Sequence, residues 1–289
     1  MQLQGRRAII TGANRGLGRE IAAHYVREGA SVVLTARDEK LLGEVREALA
    51  PLAMMAGQRV EALAGDVGDP AHAKEAAARL GGLPGNELVL VNNAGVYGPK
   101  GLIEDVDWAE WEQAIRINLF GVVHMCRAVI PMMRKANYGK IVNLSGGGAT
   151  NPLPRISAYA ASKAAVVRTT ETLAGELREA NVDVNAVAPG ALNTRMLDEA
   201  LAAGPEKVGP AHYERLLKQR DEGGAPIARA AELAVFLGSA VSDGITGRLI
   251  SAVWDNWDQF PRWRDAMSET DIYTLRRIVA KDRGRDWDK

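Results

Sequence analysis

Tyr159 and Lys163 stand four positions apart in Tyr159-Ala160-Ala161-Ser162-Lys163. On a helix, that spacing places the phenol and the ammonium on one face. A phenol with an ordinary pKa of ~10 exchanges protons near neutrality only when its anion is stabilised, and a fixed neighbouring cation does this. The pair therefore suits general acid–base work on a carbonyl or hydroxyl oxygen. On its own it describes many surface pairs equally well. A second motif near the start of the chain sharpens it: Thr11-Gly12-Ala13-Asn14-Arg15-Gly16-Leu17-Gly18. Gly12 permits a tight turn, Gly16 lets backbone approach a pyrophosphate, and Gly18 allows close packing of helix on strand. The helix that follows presents free N–H groups to the anion. A purely structural glycine turn is the competing reading, but a strand before and a helix after favour dinucleotide binding.

The residue after the second strand bears on cofactor choice. A carboxylate there accepts from the adenosine ribose hydroxyl, whereas an arginine accommodates a 2′-phosphate. Ala36 is followed by Arg37, and Arg15 lies inside the glycine turn. Two guanidiniums favour NADP(H). NAD(H) stays open, because Asp38 could take the ribose instead.

The elements that must position these groups follow a simple rhythm. Nearly continuous apolar runs at 7–11, 31–36, 59–64, 87–91, 140–144, 182–187 and 248–252 read as buried strands. Helical-period stretches at 17–29, 39–56, 71–80, 111–135, 157–180 and 229–240 separate them. The pattern predicts an α/β fold, a Rossmann-type doubly wound parallel sheet with helices on both faces, in one domain. Two segments break the rhythm. Residues 195–225, with glycines and prolines around a helical piece at 211–221, read as a substrate lid without a core of its own. The second is the tail after Ala252.

Composition narrows the function. Across 289 residues, 36 Lys+Arg balance 36 Asp+Glu, so 36 − 36 leaves no net charge. A nucleic-acid partner, which needs a basic face, is not expected. The lone Cys126 excludes an internal disulfide and a cysteine metal cluster. His24, His72, His124 and His212 have no ligand spacing, so no metal site is expected. No apolar run approaches the ~18 residues of a membrane span, and residues 1–7 do not lead into a signal peptide. A cytoplasmic protein with no membrane partner is the expectation.

With these motifs in order, the sequence resembles the short-chain dehydrogenase/reductase family of the one-domain type, from about Arg6 to Ala252. The resemblance rests on the glycine turn, Asp66-Val67, Asn92-Asn93-Ala94-Gly95, Asn118, Tyr159 with Lys163, and Pro189-Gly190 followed by Thr194. It implies that residues 1–252 form the dinucleotide-binding domain, including the 195–225 lid. Tyr159 would donate or accept the substrate proton, Lys163 would lower its pKa and hold the nicotinamide ribose, and Asn118 would support a relay water. Asp66 and Val67 would meet the adenine, Asn93, Ala94 and Gly95 would line the cleft, and Leu192 with Thr194 would hold the carboxamide. Asp66 as a helix cap and Pro189-Gly190 as a strand end are the plainer readings. A small-molecule substrate and a homodimer or homotetramer complete what the resemblance implies.

The sequence departs from the family in two places. The strand before the active site should end in two small residues, the second a catalytic serine. Here Ser145 comes first and Gly146 second. Either the glycine run presents Ser145, or Thr150 or Ser157 replaces it, or the donor is lost. The other departure is the 253–289 extension, expected to pack on the domain or a neighbouring subunit. From 251 onward it carries eight acidic and eight basic residues and four of the six tryptophans. Order is expected there, with a short helix at 271–281. It acts either as a strap or as a device that brings Trp254, Trp257 or Phe260 to the substrate cleft. The main functional expectation is an NADP(H)-dependent oxidoreductase acting on a ketone or secondary alcohol. A non-redox or imine-directed enzyme on the same scaffold, or a nucleotide-binding protein without turnover, are the alternatives.

Overall fold

The computed structural model describes residues 1–287. Seven strands form one parallel sheet: β1 (Arg6–Thr11), β2 (Ser31–Ala36), β3 (Val60–Ala64), β4 (Glu87–Asn92), β5 (Gly139–Leu144), β6 (Val182–Ala188) and β7 (Leu249–Ser251), in the order β3-β2-β1-β4-β5-β6-β7. This is the expected Rossmann-type doubly wound sheet. Residues buried on both faces explain the unbroken apolar runs: every residue of β2 and β5 is buried. One face carries α1 (Gly16–Arg27), α2 (Glu39–Leu49) and α9 (Ile227–Gly238) in one apolar cluster. The other carries α3 (Pro70–Gly82), α5 (Gly121–Ala136) and α6 (Ser157–Leu177). β1 pairs with β2 on one side and β4 on the other, so the chain reverses its winding there and opens a crevice at the strands' carboxyl ends.

Several boundaries differ from the sequence expectation for local reasons. The helix expected over 39–56 ends at Leu49, because Ala50-Pro51-Leu52 closes it with one tighter turn. The helix expected over 111–135 begins earlier, as α4 (Trp108–Ile115), and joins α5 through a wider π turn at Arg116–Phe120. Together, Trp108–Ala136 make one helix long and apolar enough to cross a membrane by length and composition, contrary to the expectation that no such run exists. In the fold, Val122, Met125, Cys126, Val129 and Met133 are buried on the sheet side.

The 195–225 segment is α7 (Arg195–Val208), kinked at Gly204, followed by α8 (Pro210–Glu222). It does have a small core: Leu197, Ala200, Val208 and Leu216 pack together with Tyr97 and Tyr213 against them. The tail is ordered by a different device. The expected helix over 271–281 is absent, because its backbone is spent elsewhere. The Leu249 N–H donates to the Tyr273 carbonyl at 2.8 Å, and the Arg248 guanidinium donates to the carbonyls of Met267, Thr270 and Ile272. The Leu275 N–H donates to Glu171 Oε1. The strap thus runs along the outer edge of β7, where unpaired backbone would otherwise stand open. Trp257, 6% exposed, packs at a tilt against Phe236 and under Arg229, and Phe260 packs on Tyr273.

Candidate active site

The glycine turn is built by close contacts that exclude side chains. A Cβ on Gly18 would stand 2.2 Å from the Gly12 carbonyl oxygen, and one on Gly12 would stand 2.9 Å from Ala94 Cα. Thr11 Oγ1 accepts from the N–H groups of Asn93 and Ala94, while Asn93 Nδ2 donates to the Thr11 carbonyl. The turn is therefore clamped to the end of β4. No side chain caps α1, whose first N–H groups face the crevice. This is the arrangement that receives a pyrophosphate.

A cleft of ≈ 540 Å³ runs from this turn to Tyr159. Gly12, Asn14, Arg15, Gly16, Leu17, Gly18, Arg37, Asp66, Val67, Asn93, Ala94, Gly95, Pro189, Gly190, Leu192 and Thr194 all border it, with Ser145, Tyr159 and Lys163 at the other end. Asp66 is not the cap of α3: Asp69 holds the Ala71 N–H, and Asp66 Oδ1 accepts from Gly68 instead. Asp38 also borders the cleft, but its carboxylate caps α2 through the Leu41 N–H and lies 3.7 Å from Arg15.

Behind the cleft, the fully buried Asn118 sits on the π turn. Its Oδ1 accepts from the Val96 N–H, and its Nδ2 donates to the Val96 carbonyl and to Ser162 Oγ. Ser162 in turn donates to the Tyr159 carbonyl, so Asn118 ties the 93–97 segment to the helix carrying Tyr159. Lys163 Nζ donates to the Leu144 carbonyl at 2.7 Å and lies 5.7 Å from the centre of the Tyr159 ring. Burial pulls the Lys163 ammonium down to about 8. The expected lowering of the Tyr159 pKa does not follow here. Burial pushes this phenol above its ordinary value, and the neighbouring Tyr97 adds to the rise.

The hydroxyl expected near position 146 has no simple replacement. The Ser157 hydroxyl accepts from the Trp111 indole N–H, and Thr150 is exposed with its hydroxyl accepting from Asn151. Neither borders the cleft. Ser145 does, but its hydroxyl is enclosed, with no hydrogen-bond partner. None of Trp254, Trp257 and Phe260 borders the cleft of its own chain; Trp254 is 84% exposed, and Val253 comes near the cleft, against Gly190. Sequence reasoning missed Tyr97, whose ring meets that of Tyr159 edge-on with centres 4.9 Å apart. Its place directly after Asn93-Ala94-Gly95-Val96 was the available signal. It also missed Met196 and Glu199 of α7 on the same wall.

The family described as short chain dehydrogenase matches residues 6–203. The chain belongs to the short-chain dehydrogenase/reductase family. Among relatives of this oxidoreductase family, the 3-oxoacyl-[acyl-carrier-protein] reductase FabG of Thermotoga maritima is 34% identical over 251 residues, covering 86% of this chain and 97% of that one. The short chain dehydrogenase tazN of Aspergillus terreus is 33% identical over 261 residues, 88% of this chain but 53% of its own length. A solved gluconate 5-dehydrogenase from Burkholderia cenocepacia, in complex with NADP and tartrate, superposes with a TM-score of 0.74 at 27% identity, covering 86% of this chain and 94% of that one.

Proposed function

We propose that this short-chain dehydrogenase/reductase transfers hydride between NADP(H) and a ketone or secondary alcohol of a small molecule, with Tyr159 as proton donor and acceptor. The observation that carries the reading is the single cleft joining the uncapped α1 turn to a phenol backed by a buried ammonium. A nicotinamide held there supplies or takes the hydride. The cradle fits such a group, because the Gly12 and Gly18 contacts hold the turn tight and α1 begins with no side-chain cap on its N–H groups.

The chain's own residues divide the remaining work. Arg15 and Arg37 border the cleft and would hold a 2′-phosphate, and the engagement of Asp38 as a helix cap supports NADP(H) over NAD(H). The NADP in the Burkholderia relative agrees with that preference. Asp66 and Val67 would meet the adenine; Asn93, Ala94 and Gly95 form the cleft floor; Leu192 and Thr194 would hold the carboxamide. Lys163 would orient the nicotinamide ribose and, as a cation, stabilise the Tyr159 anion during proton transfer. Asn118 fixes the distance between floor and catalytic helix. A homodimer or homotetramer in the cytoplasm is part of the same proposal, by analogy with the family.

A spectrophotometric screen with NADPH and NADH against carbonyls and secondary alcohols tests this. Nucleotide oxidation or reduction, faster with the phosphorylated form, is expected. Tight NADP(H) binding with no turnover across the panel would reject the redox reading.

A further inference from the structure

The end of β5 raises a question that the proposed function leaves open: what holds the substrate oxygen besides Tyr159? A Cβ on Gly146 would stand 2.4 Å from the Tyr159 hydroxyl. The Gly146 backbone is extended, a conformation any residue adopts, so backbone strain does not explain the glycine. Its role is to leave room. The Tyr159 phenol leans into the space where a side chain at 146 would lie. Ser145, Thr150 and Ser157 cannot compensate: the first hydroxyl is enclosed, and the other two point to partners away from the cleft.

Tyr97 occupies the facing wall. Its ring meets Tyr159 at 74° with centres 4.9 Å apart, an edge-to-face packing. Among the described residues the Tyr97 hydroxyl has no hydrogen-bond partner, yet it is not one of the enclosed polar atoms. It is therefore accessible and unpaired, on a residue that borders the cleft. Glu199 of α7 borders the same space, paired with Arg195 at 2.6 Å. Burial first, and Glu199 second, keep the Tyr97 phenol protonated above its ordinary pKa.

We infer that Tyr97 donates the hydrogen bond to the substrate oxygen that a serine at 146 would otherwise supply, so that two phenols grip one oxygen. This rests on the oxidoreductase reading above. In the reducing direction the carbonyl carbon gains the hydride, its π pair moves to oxygen, and that oxygen takes the Tyr159 proton. The carbonyl is reduced and the dihydronicotinamide oxidised. Tyr97 keeps its proton and stabilises the charge developing on oxygen. Each ring has an ammonium near it, Lys163 at 5.7 Å from the Tyr159 centre and Lys100 at 5.8 Å from the Tyr97 centre; what differs is that Lys163 is buried on the helix that carries Tyr159, and that Tyr97 also faces Glu199.

The test uses the full chain with NADPH and the ketones diacetyl and cyclohexanone. Tyr97→Phe keeps the ring packing and removes only the donor. Its kcat should fall on the order of 10²–10³-fold, the usual cost of one such donor, with NADPH affinity by tryptophan quenching unchanged. A packing role for Tyr97 would leave kcat at the wild-type value in Tyr97→Phe, and that result overturns the inference. If Tyr159→Phe is inactive in the same assay, the oxidoreductase reading survives that failure. If both phenylalanine variants are fully active, it falls too. A second readout needs no substrate: the ultraviolet absorbance of tyrosinate followed across pH. Removing the Tyr97 hydroxyl should move the Tyr159 titration downward, isolated by comparison with Tyr97→Phe/Tyr159→Phe. An unchanged titration overturns the inference, and this readout decides alone if neither ketone reacts.

Discussion

The crevice at the carboxyl ends of β1 and β4 and the strapped edge of β7 handle the same material in opposite ways. At the crevice, backbone donors are left unpaired. α1 begins without a cap, and glycines keep side chains out of the turn. At the β7 edge, backbone groups are consumed as far as possible, by Tyr273, by the three carbonyls on Arg248 and by Glu171. An unpaired polar group is costly when buried and useful when a ligand can meet it. The contrast separates the part of the molecule that binds from the part that holds it together. Substitutions at the crevice should therefore change catalysis with little change in stability, and substitutions at the strap should do the reverse.

The largest expected effect is at the reacting end of the crevice. Tyr159→Phe should lower kcat by about 10²–10⁴-fold, the span of general acid–base catalysis, with the thermal midpoint and NADPH affinity nearly unchanged. At the strap, Trp257→Ala should cost about 3–5 kcal/mol in urea unfolding, because a buried ring and its contacts with Phe236 and Arg229 are lost. Normal kcat is expected below its midpoint; a kcat loss in that variant would break the separation. At the phosphate end, Arg37→Asp should shift the proposed preference for NADPH toward NADH by about 1.5–3 kcal/mol in ratios of kcat/KM, the worth of a charge-assisted hydrogen bond.

Lys163 supplies a smaller effect with a defined sign. Its folded pKa of about 8 lies below the ordinary lysine value of 10.5, so between these values the unfolded chain binds the extra proton. Stability should rise with pH across that window, by up to about 1.4 kcal/mol per pH unit, and the rise should vanish in Lys163→Met. A slope of the opposite sign would show that the ammonium is stabilised by its site. Smallest of all, Trp254→Ala should change stability by less than about 0.5 kcal/mol, since the ring is solvent-facing.

Local features were readable before the fold was known. The glycine turn and the Tyr159–Lys163 spacing were legible because each depends on a few adjacent residues in one element. Unbroken apolar runs announced a sheet covered on both faces. Three things were not legible, each for a physical reason. The 271–281 stretch looks helical by composition, but edge pairing with β7 competes for the same carbonyls and prevails. The pKa of Tyr159 depends on burial by segments distant in sequence, which spacing does not encode. Tyr97 gains its place only through the meeting of the 93–97 segment with α6, arranged by Asn118 from a third element. The departure at Ser145-Gly146 was visible in the sequence; that Gly146 makes room for the Tyr159 hydroxyl was not.

The strap also has a consequence in time. Its residues follow every strand in the chain, and domains begin to fold from the N-terminal side during synthesis. While the segment around Met267, Tyr273 and Leu275 is still being made, the sheet can assemble through β6 and the crevice can take shape. β7 nevertheless keeps an open edge, and the Arg248 guanidinium lacks its three carbonyl partners. A nascent chain at that stage already has its nucleotide cradle but still offers a strand edge to other chains. Slow passage through the strap codons should thus raise aggregation, and bound nucleotide would do little to prevent it.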